Sequence, residues 1–330
     1  MDLEYLRWLQ EFRGSIDDAL TPLMEFVSMF SVSYLIAIPV FIYWFGSKRK
    51  GLYALVSFYI CITLNVLIKL TACVYRPWIR DAEIVPAGDA ITTATSYSFP
   101  SGHTATCVPL AGGTAAMFWK DMRTRSLSVI MFVYILLTAF SRNYLGVHTP
   151  QDVFVAIVLG VLCLAVTAKL FEYLEKNPEK EKWFLLGGFV FCWLGIVYIT
   201  FKPYPMDYTA DGTLLVDPQK MMNDGYGDIG VAIGFIIGRA VEKRFIRFEP
   251  LKKSWISAVI CFLGLMPMAA MAQFLEPMMK EYLGSHWGML LFSVVLAFYY
   301  IAFFPLIIKL CGAISERKRR APELAQSKEG

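Results

Sequence analysis

Residues 52–72 read Leu-Tyr-Ala-Leu-Val-Ser-Phe-Tyr-Ile-Cys-Ile-Thr-Leu-Asn-Val-Leu-Ile-Lys-Leu-Thr-Ala, and the chain runs on through Cys73, Val74 and Tyr75 to Arg76-Pro77. An α-helix needs roughly 20 consecutive, mostly apolar residues to cross the hydrocarbon of a bilayer. This stretch meets that length, and its one cation, Lys69, waits until the last turn. Outward from it the pattern repeats, at about 28–46, 103–119, 126–144, 151–171, 183–201, 228–242, 255–273 and 287–309. The segment 228–242 is the weakest of the nine, short and glycine-rich, with a re-entrant half-span as its alternative. Composition agrees. Of 330 residues 57% are hydrophobic and 18% charged, against about 25% charged in an ordinary soluble domain, and mean hydropathy is +0.52. This excludes a disordered chain, a collagen, a coiled coil and a disulfide scaffold, and it argues against a soluble enzyme. A net charge of +4 is too small to point to nucleic acid. The seven cysteines form no CxxC pair and sit mostly in apolar runs, so buried thiols are expected, with no disulfide framework and no zinc site.

The cations orient the spans. With nine spans, five connecting segments share the side of Lys48, Arg49 and Lys50. They hold 21 of the 31 lysines and arginines, and the opposite side holds 9. Basic segments stay cytoplasmic. The expected protein is therefore a multi-pass cell-membrane protein with its C-terminus in the cytoplasm, and with segments 1–27, 73–102, 145–150, 202–227 and 274–286 outside. The expected fold class is all-α: a polytopic membrane bundle of about nine transmembrane helices. An N-terminal interfacial amphipathic segment fills 1–27, because Leu3, Leu6, Leu9 and Phe12 recur at helical spacing. A six-helix core follows at 28–201, then an accessory transmembrane region at 202–314 and a disordered cytoplasmic tail at 315–330. The opening Met1-Asp2-Leu3-Glu4 has no basic region ahead of an apolar one, so no signal peptide is expected. Ser15-Ile16-Asp17-Asp18 resembles a helix start with a capping box in which Asp replaces Glu.

Three polar clusters interrupt the apolar pattern, all on the outer side. Lys69 and Arg76 are seven residues apart, two helical turns, which would put both cations on one face at the outer end of the second span. Pro100-Ser101-Gly102-His103 sits where a loop becomes the third span. There Ser101 can cap, Gly102 lets backbone approach a ligand, and the helix N-terminus favours an anion. In Ser141-Arg142 through His148-Thr149-Pro150-Gln151-Asp152, Thr149 can be the N-cap and Pro150 the first helical residue of the fifth span. Asp152 then lies close enough to hydrogen-bond the His148 imidazole, fixing its tautomer and making the other ring nitrogen the better nucleophile. Arg142 is placed to hold a phosphate oxygen. Two of only three histidines fall in these clusters. The third, His286, reads as an interfacial residue beside Trp287. Together the clusters describe phosphoryl transfer without a metal: cations and N–H groups on the phosphoryl oxygens, one histidine attacking and another protonating the leaving oxygen.

The order K-x6-R-P, P-S-G-H, S-R-x5-H-x3-D resembles the tripartite signature of the type 2 phosphatidic acid phosphatase superfamily, with gaps of 22 and 37 residues between the blocks here. The resemblance implies a phosphohistidine formed on His148, with Asp152 orienting it and His103 as general acid. It implies phosphate binding by Lys69, Arg76, Ser101, Gly102 and Arg142, and neither metal nor cofactor. It covers residues 1 to about 173. The nine-span plan is similar to that of the glucose-6-phosphatases, although no motif carries that substrate over. The substrate expected is a membrane lipid phosphate or diphosphate, with undecaprenyl diphosphate the most economical version and phosphatidate, phosphatidylglycerophosphate or a sphingoid phosphate as rivals. A phosphatase for a small soluble ester is the alternative. A vanadate-dependent haloperoxidase shares the three blocks but is soluble. A transporter that has lost catalysis is disfavoured by the complete motif. The partners expected are the lipid substrate and the bilayer, with no nucleic acid and the oligomeric state open. The acidic segment 202–227 is expected to act as a lid over the site.

Overall fold

The computed structural model describes residues 2–209, 211–251 and 254–312. Among them every regular element is a helix, and two isolated bridges, Phe45 with Leu251 and Tyr208 with Leu214, are the extended pairings. The expected disordered tail at 315–330 lies outside the described residues. The helices are α1 (Asp2–Ser15), α2 (Thr21–Ser33), α3 (Ala37–Trp44), α4 (Lys48–Ala72), α5 (Pro77–Arg80), α6 (Gly102–Phe118), α7 (Arg125–Tyr144), α8 (Pro150–Lys176), α9 (Glu181–Phe201), α10 (Pro218–Val241), α11 (Trp255–Ala270), α12 (Glu276–Leu283) and α13 (Ser285–Phe298). Among the described residues, six stretches are long and apolar enough to cross a membrane: Lys48–Arg80, Arg125–Tyr144, Pro150–Lys176, Pro178–Phe201, Trp255–Leu283 and Ser285–Gly312. A seventh is made if α2 and α3, bent by 42°, count as one.

Two of the nine expected segments do not pass on length and composition, and packing explains why. Helix α6 has only 17 residues and holds Gly112, Gly113, Thr114 and Pro109, nearly all buried among α4, α7 and α8. At Gly113 a Cβ would lie 2.9 Å from Ala54 Cα, so the two backbones touch. A helix enclosed by protein has no need of the lipid-facing side chains that raise hydropathy. Helix α10 carries Lys220, Asn223, Asp224 and Asp228 in its first half and a glycine stripe beyond. It lies between α4, α9 and α13. At Gly230 a Cβ would fall 2.7 Å from Leu290 O, so α13 is seated directly on the α10 backbone.

The region after 201 is not a separate body. Its Tyr226, Ile229, Ile233, Tyr300 and Ile301 share one hydrophobic cluster with Tyr43, Trp44, Tyr59, Val66 and Leu70 of α3 and α4. A π-helical turn at Tyr299–Phe303 widens the end of α13, and two of its carbonyls serve as acceptors. Tyr43 OH donates to Ile301 O at 3.1 Å and Trp44 Nε1 to Tyr300 O at 2.9 Å. At the end of the bundle away from the clusters, ion pairs join helices. Lys48 meets Glu242 at 2.5 Å, Arg239 meets Glu242 at 2.6 Å and Glu181 at 2.8 Å, and Arg49 meets Glu175 at 2.6 Å.

Helix α1 is two-faced. Leu6 and Leu9 are buried against Ile84, whereas Trp8 is 57% exposed and stacked between Tyr5 and Phe12. Arg7 pairs with Asp81, and the buried Arg13 donates to Tyr144 O and Val85 O, which fastens α1 onto the segment around residues 81–85. The expected capping box at Ser15 does not form. Asp17 and Asp18 take left-handed φ angles of 48° and 55°. Asp18 accepts from Arg13 and Thr21 instead of capping, and α2 starts at Thr21.

Candidate active site

The end of α4, the start of α6, the end of α7 and the start of α8 meet at one end of the bundle, and all eight expected site residues lie there. The local reasons differ. Ser101 caps α6, its Oγ accepting from Thr104 N at 3.4 Å, and Gly102 opens the helix. A Cβ at Gly102 would sit 3.9 Å from Lys69 Nζ, so this N-terminus looks onto the lysine. Thr149 is the N-cap of α8 with Pro150 behind it, as the sequence suggested, and Asp152 takes the Thr149 N–H at 2.8 Å, a partner the sequence reading did not assign it. The tight turn from α7 to α8 uses Gly146 at φ 72°, a conformation open to glycine at little strain. Asn143 Nδ2 closes the turn by donating to His148 O at 2.8 Å.

The pairing of Lys69 and Arg76 on one helical face is corrected. Cys73, in left-handed conformation, ends α4 by donating its N–H to Lys69 O. Arg76 precedes a proline, which disfavours helix at its own position, and it is extended, at the N-cap of α5. The two cations are reunited by a loop. Arg76 Nε donates to Ser96 O at 2.7 Å, and Lys69 Nζ donates to Tyr97 O at 3.0 Å. Next along, Ser98 Oγ donates to Asp152 Oδ2 at 2.6 Å, and Ser101 N donates to Asp152 O at 3.0 Å. The run Thr95-Ser96-Tyr97-Ser98 thus ties the three clusters together. Sequence reasoning passed over it. Its signal was four hydroxyl residues in a row just before the Pro100 block.

His148 is at the centre and 1% exposed. Its Nε2 lies 2.9 Å from Arg76 Nη1, and its Nδ1 lies 3.4 Å from Asp152 Oδ2. A guanidinium can only donate, so Nε2 carries the lone pair and Nδ1 the proton, the tautomer in which Nε2 could act as a nucleophile. Asp152 is close enough to orient the ring, but its Oδ2 is engaged with Ser98 and Thr149, and Nδ1 makes no aligned hydrogen bond. Burial first, then the neighbouring cations Arg76, Arg142 and Lys69, holds the His148 imidazolium well below the usual histidine range. Arg142, also 1% exposed, gives Nη1 to Ser28 Oγ of α2 at 2.5 Å. Its Nε and Nη2 are buried without a protein partner, as is His103 Nε2. No ion pair forms between Arg142 and Asp152. His103 is within electrostatic reach of Arg142, His148, Arg76 and Lys69. Ser28 was another partner unseen in the sequence, 114 residues from Arg142.

The acidic segment 202–227 is not one loop, because α10 begins at Pro218. Of the described residues before that helix, Asp207 accepts from Tyr75 OH at 2.5 Å and Lys202 Nζ donates to Leu70 O, both at the site end.

Three cations, a helix N-terminus and two imidazoles thus gather at this end of the bundle, with Arg142 Nε and Nη2 and His103 Nε2 unpaired, an arrangement whose chemistry suits a tetrahedral oxyanion. Comparison with known proteins agrees in kind. The PAP2 superfamily model matches residues 50–176. The chain is 31% identical over 153 residues to the undecaprenyl-diphosphatase BcrC of Bacillus subtilis, covering 44% of this chain and 74% of that protein. It is 29% identical over 143 residues to an undecaprenyl-diphosphatase of Sulfolobus acidocaldarius, covering 43% and 66%. It is 27% identical over 173 residues to the glucose-6-phosphatase catalytic subunit 1 of Haplochromis nubilus, covering 44% and 46%. No solved structure gives a significant match.

Proposed function

This chain belongs to the PAP2 superfamily, and from that premise we propose that it is an integral-membrane, metal-independent phosphatase for a lipid phosphate or diphosphate, working through a phosphohistidine. His148 Nε2 attacks phosphorus as the P–O bond to the leaving group breaks, and His103 gives that oxygen a proton. Water then attacks the phosphohistidine, His103 takes its proton, and the N–P bond breaks to release phosphate. Lys69, Arg76, Arg142 and the backbone at Ser101 and Gly102 stabilise the equatorial oxygens, and Asp152 orients His148. The observation that carries this reading is the set of buried, unpartnered donors of Arg142 beside a neutral, correctly tautomerised His148.

The relatives named as undecaprenyl-diphosphatases support undecaprenyl diphosphate as substrate, with phosphatidate-like lipids next. The site lies at one end of the bundle, where a headgroup can enter while its chain stays in lipid. The cation bias supports an extracytoplasmic site and a cytoplasmic C-terminus. In the nine-span arrangement α6 and α10 cross as protein-enclosed helices, and α1 lies at the interface with Trp8 outward. The glucose-6-phosphatase relative favours a second reading, a small soluble phosphate ester. The deciding experiment is phosphate release by detergent-purified protein in EDTA. The panel is undecaprenyl diphosphate, phosphatidate, phosphatidylglycerophosphate, sphingosine phosphate and glucose 6-phosphate, with His148→Ala alongside. Release from lipids, lost in the variant, is expected. Release from glucose 6-phosphate alone would move the substrate to the second reading, and full activity in His148→Ala would refute the mechanism.

A further inference from the structure

The loop that holds Lys69 and Arg76 is itself held by α10, a helix beyond the residues matched by the family model. Thr95 Oγ1 donates to Asp224 Oδ2 at 2.8 Å, and Ser96 Oγ donates to Met221 O at 3.1 Å. Met221 and Asp224 are three residues apart, hence neighbours on one helical face. The carbonyls of Ser96 and Tyr97, the next groups along the loop, receive Arg76 Nε and Lys69 Nζ. Helix α10 has little freedom to shift. A Cβ at Gly225 would be 2.9 Å from both Leu70 Cδ1 and Ile199 Cδ1, and Gly230 rests on the α13 backbone. Asp224 is also within electrostatic reach of both Lys69 and Arg76.

We propose that Asp224 is a positioning residue of the phosphate site: through Thr95, Ser96 and Tyr97 it fixes where Arg76 and Lys69 present their donors, so the accessory region sets the affinity of the core for phosphate. The proposal rests on the reading of this pocket as a phosphate site. Asp224 touches neither phosphate nor the reacting atoms. Its loss lets the loop relax and moves two cations from their places, which weakens ground-state and transition-state binding together and so raises KM more than it lowers kcat.

The test uses the full chain in detergent with Asp224→Ala, Asp224→Asn, Thr95→Val and the double variant Thr95→Val/Asp224→Ala. Inorganic phosphate binding is measured by calorimetry, which does not depend on turnover, and kcat and KM are measured on the substrate the panel selects. Asp224→Ala is expected to weaken phosphate binding and raise KM by about tenfold, the scale of one hydrogen bond to a charged group, with kcat changed less than about threefold. Asp224→Asn keeps an acceptor for Thr95 and recovers most of the loss. The double variant is no worse than either single one, because both break the same link. Phosphate binding and KM within about twofold of the parent in Asp224→Ala, or no recovery in Asp224→Asn, would overturn the proposal, as would additive losses in the double variant. Should Asp224→Ala fail to fold, Thr95→Val carries the same expectation. Phosphate binding that depends on Asp224 in a protein inactive on every ester would sink the phosphatase reading and leave this proposal standing. Normal catalysis, abolished in His148→Ala but indifferent to Asp224, would do the reverse.

Discussion

Arg142 offers the sharpest test of the site, because activity and stability should move in opposite senses. Its Nη1 is spent on Ser28, and its Nε and Nη2 have no protein partner. Each charge-assisted hydrogen bond they would make to a phosphoryl oxygen contributes about 1.5–3 kcal/mol. Arg142→Met removes both, about 3–6 kcal/mol, or a loss of roughly 10² to 10⁴ in kcat/KM. Arg142→Lys keeps the charge but offers a point donor in place of a fork, so about half that energy is lost, a fall of roughly 10- to 150-fold. Stability should respond differently. A buried charge with two unsatisfied donors is a burden on the ligand-free fold, and replacing such a group by an apolar side chain of similar volume is often neutral or stabilising by about 1–4 kcal/mol. The assay pairs steady-state phosphate release with thermal unfolding in detergent, with and without inorganic phosphate. Ligand-free Arg142→Met should unfold no earlier than the parent and should no longer be stabilised by phosphate. Earlier unfolding together with less than a tenfold loss of kcat/KM would show that Arg142 is an anchor for α2 through Ser28, and the reasoning would fail.

Other consequences can be checked independently. If His103 protonates the leaving group, His103→Ala should slow single-turnover formation of the phosphohistidine by about 10²–10⁴ on an alkyl phosphate but far less on an aryl phosphate whose leaving group needs no proton; equal losses in that step on both would count against that role. Histidine-selective NMR is tractable with only three histidines in the chain. Since burial and then Arg76, Arg142 and Lys69 depress His148, its ring should remain neutral as pH falls through the usual 6.5 and protonate only well below it. Bound phosphate, by neutralising those cations, should move the transition upward, and titration at or above 6.5 in phosphate-free protein would refute this. Gly230→Ala should destabilise the protein by about 1–3 kcal/mol, because its Cβ would meet the Leu290 carbonyl; an unchanged melting curve would mean that α10 and α13 are not seated as described.

The sequence spoke most clearly where a signal is local. Ser101 before α6 and Thr149-Pro150 before α8 are helix starts written in adjacent residues, and the structure has both. Most apolar runs were likewise readable by length. Judgement failed where a property belongs to packing. The spacing of Lys69 and Arg76 suggested one helical face, but a left-handed Cys73 and the proline after Arg76 break the helix, and the cations meet through a loop. Helices α6 and α10 looked like ordinary or weak spans, yet their composition reflects enclosure by other helices. Nothing near Arg142 in the chain announces Ser28, nor does anything near Arg76 announce Met221 and Asp224. Those partners exist only once α2 and α10 are in place.

The hydrogen bond between Arg76 and His148 Nε2 has a consequence for the enzyme at rest. An imidazole lone pair held by a guanidinium is closed to the scavengers that poison exposed histidines, whether a stray transition metal ion or an alkylating agent. On the proposed mechanism, a phosphate oxygen would give Arg76 a stronger acceptor and so free that electron pair with phosphorus alongside. On the proposed mechanism the centre is latched while idle, and a phosphate ester is the key that would lift the latch.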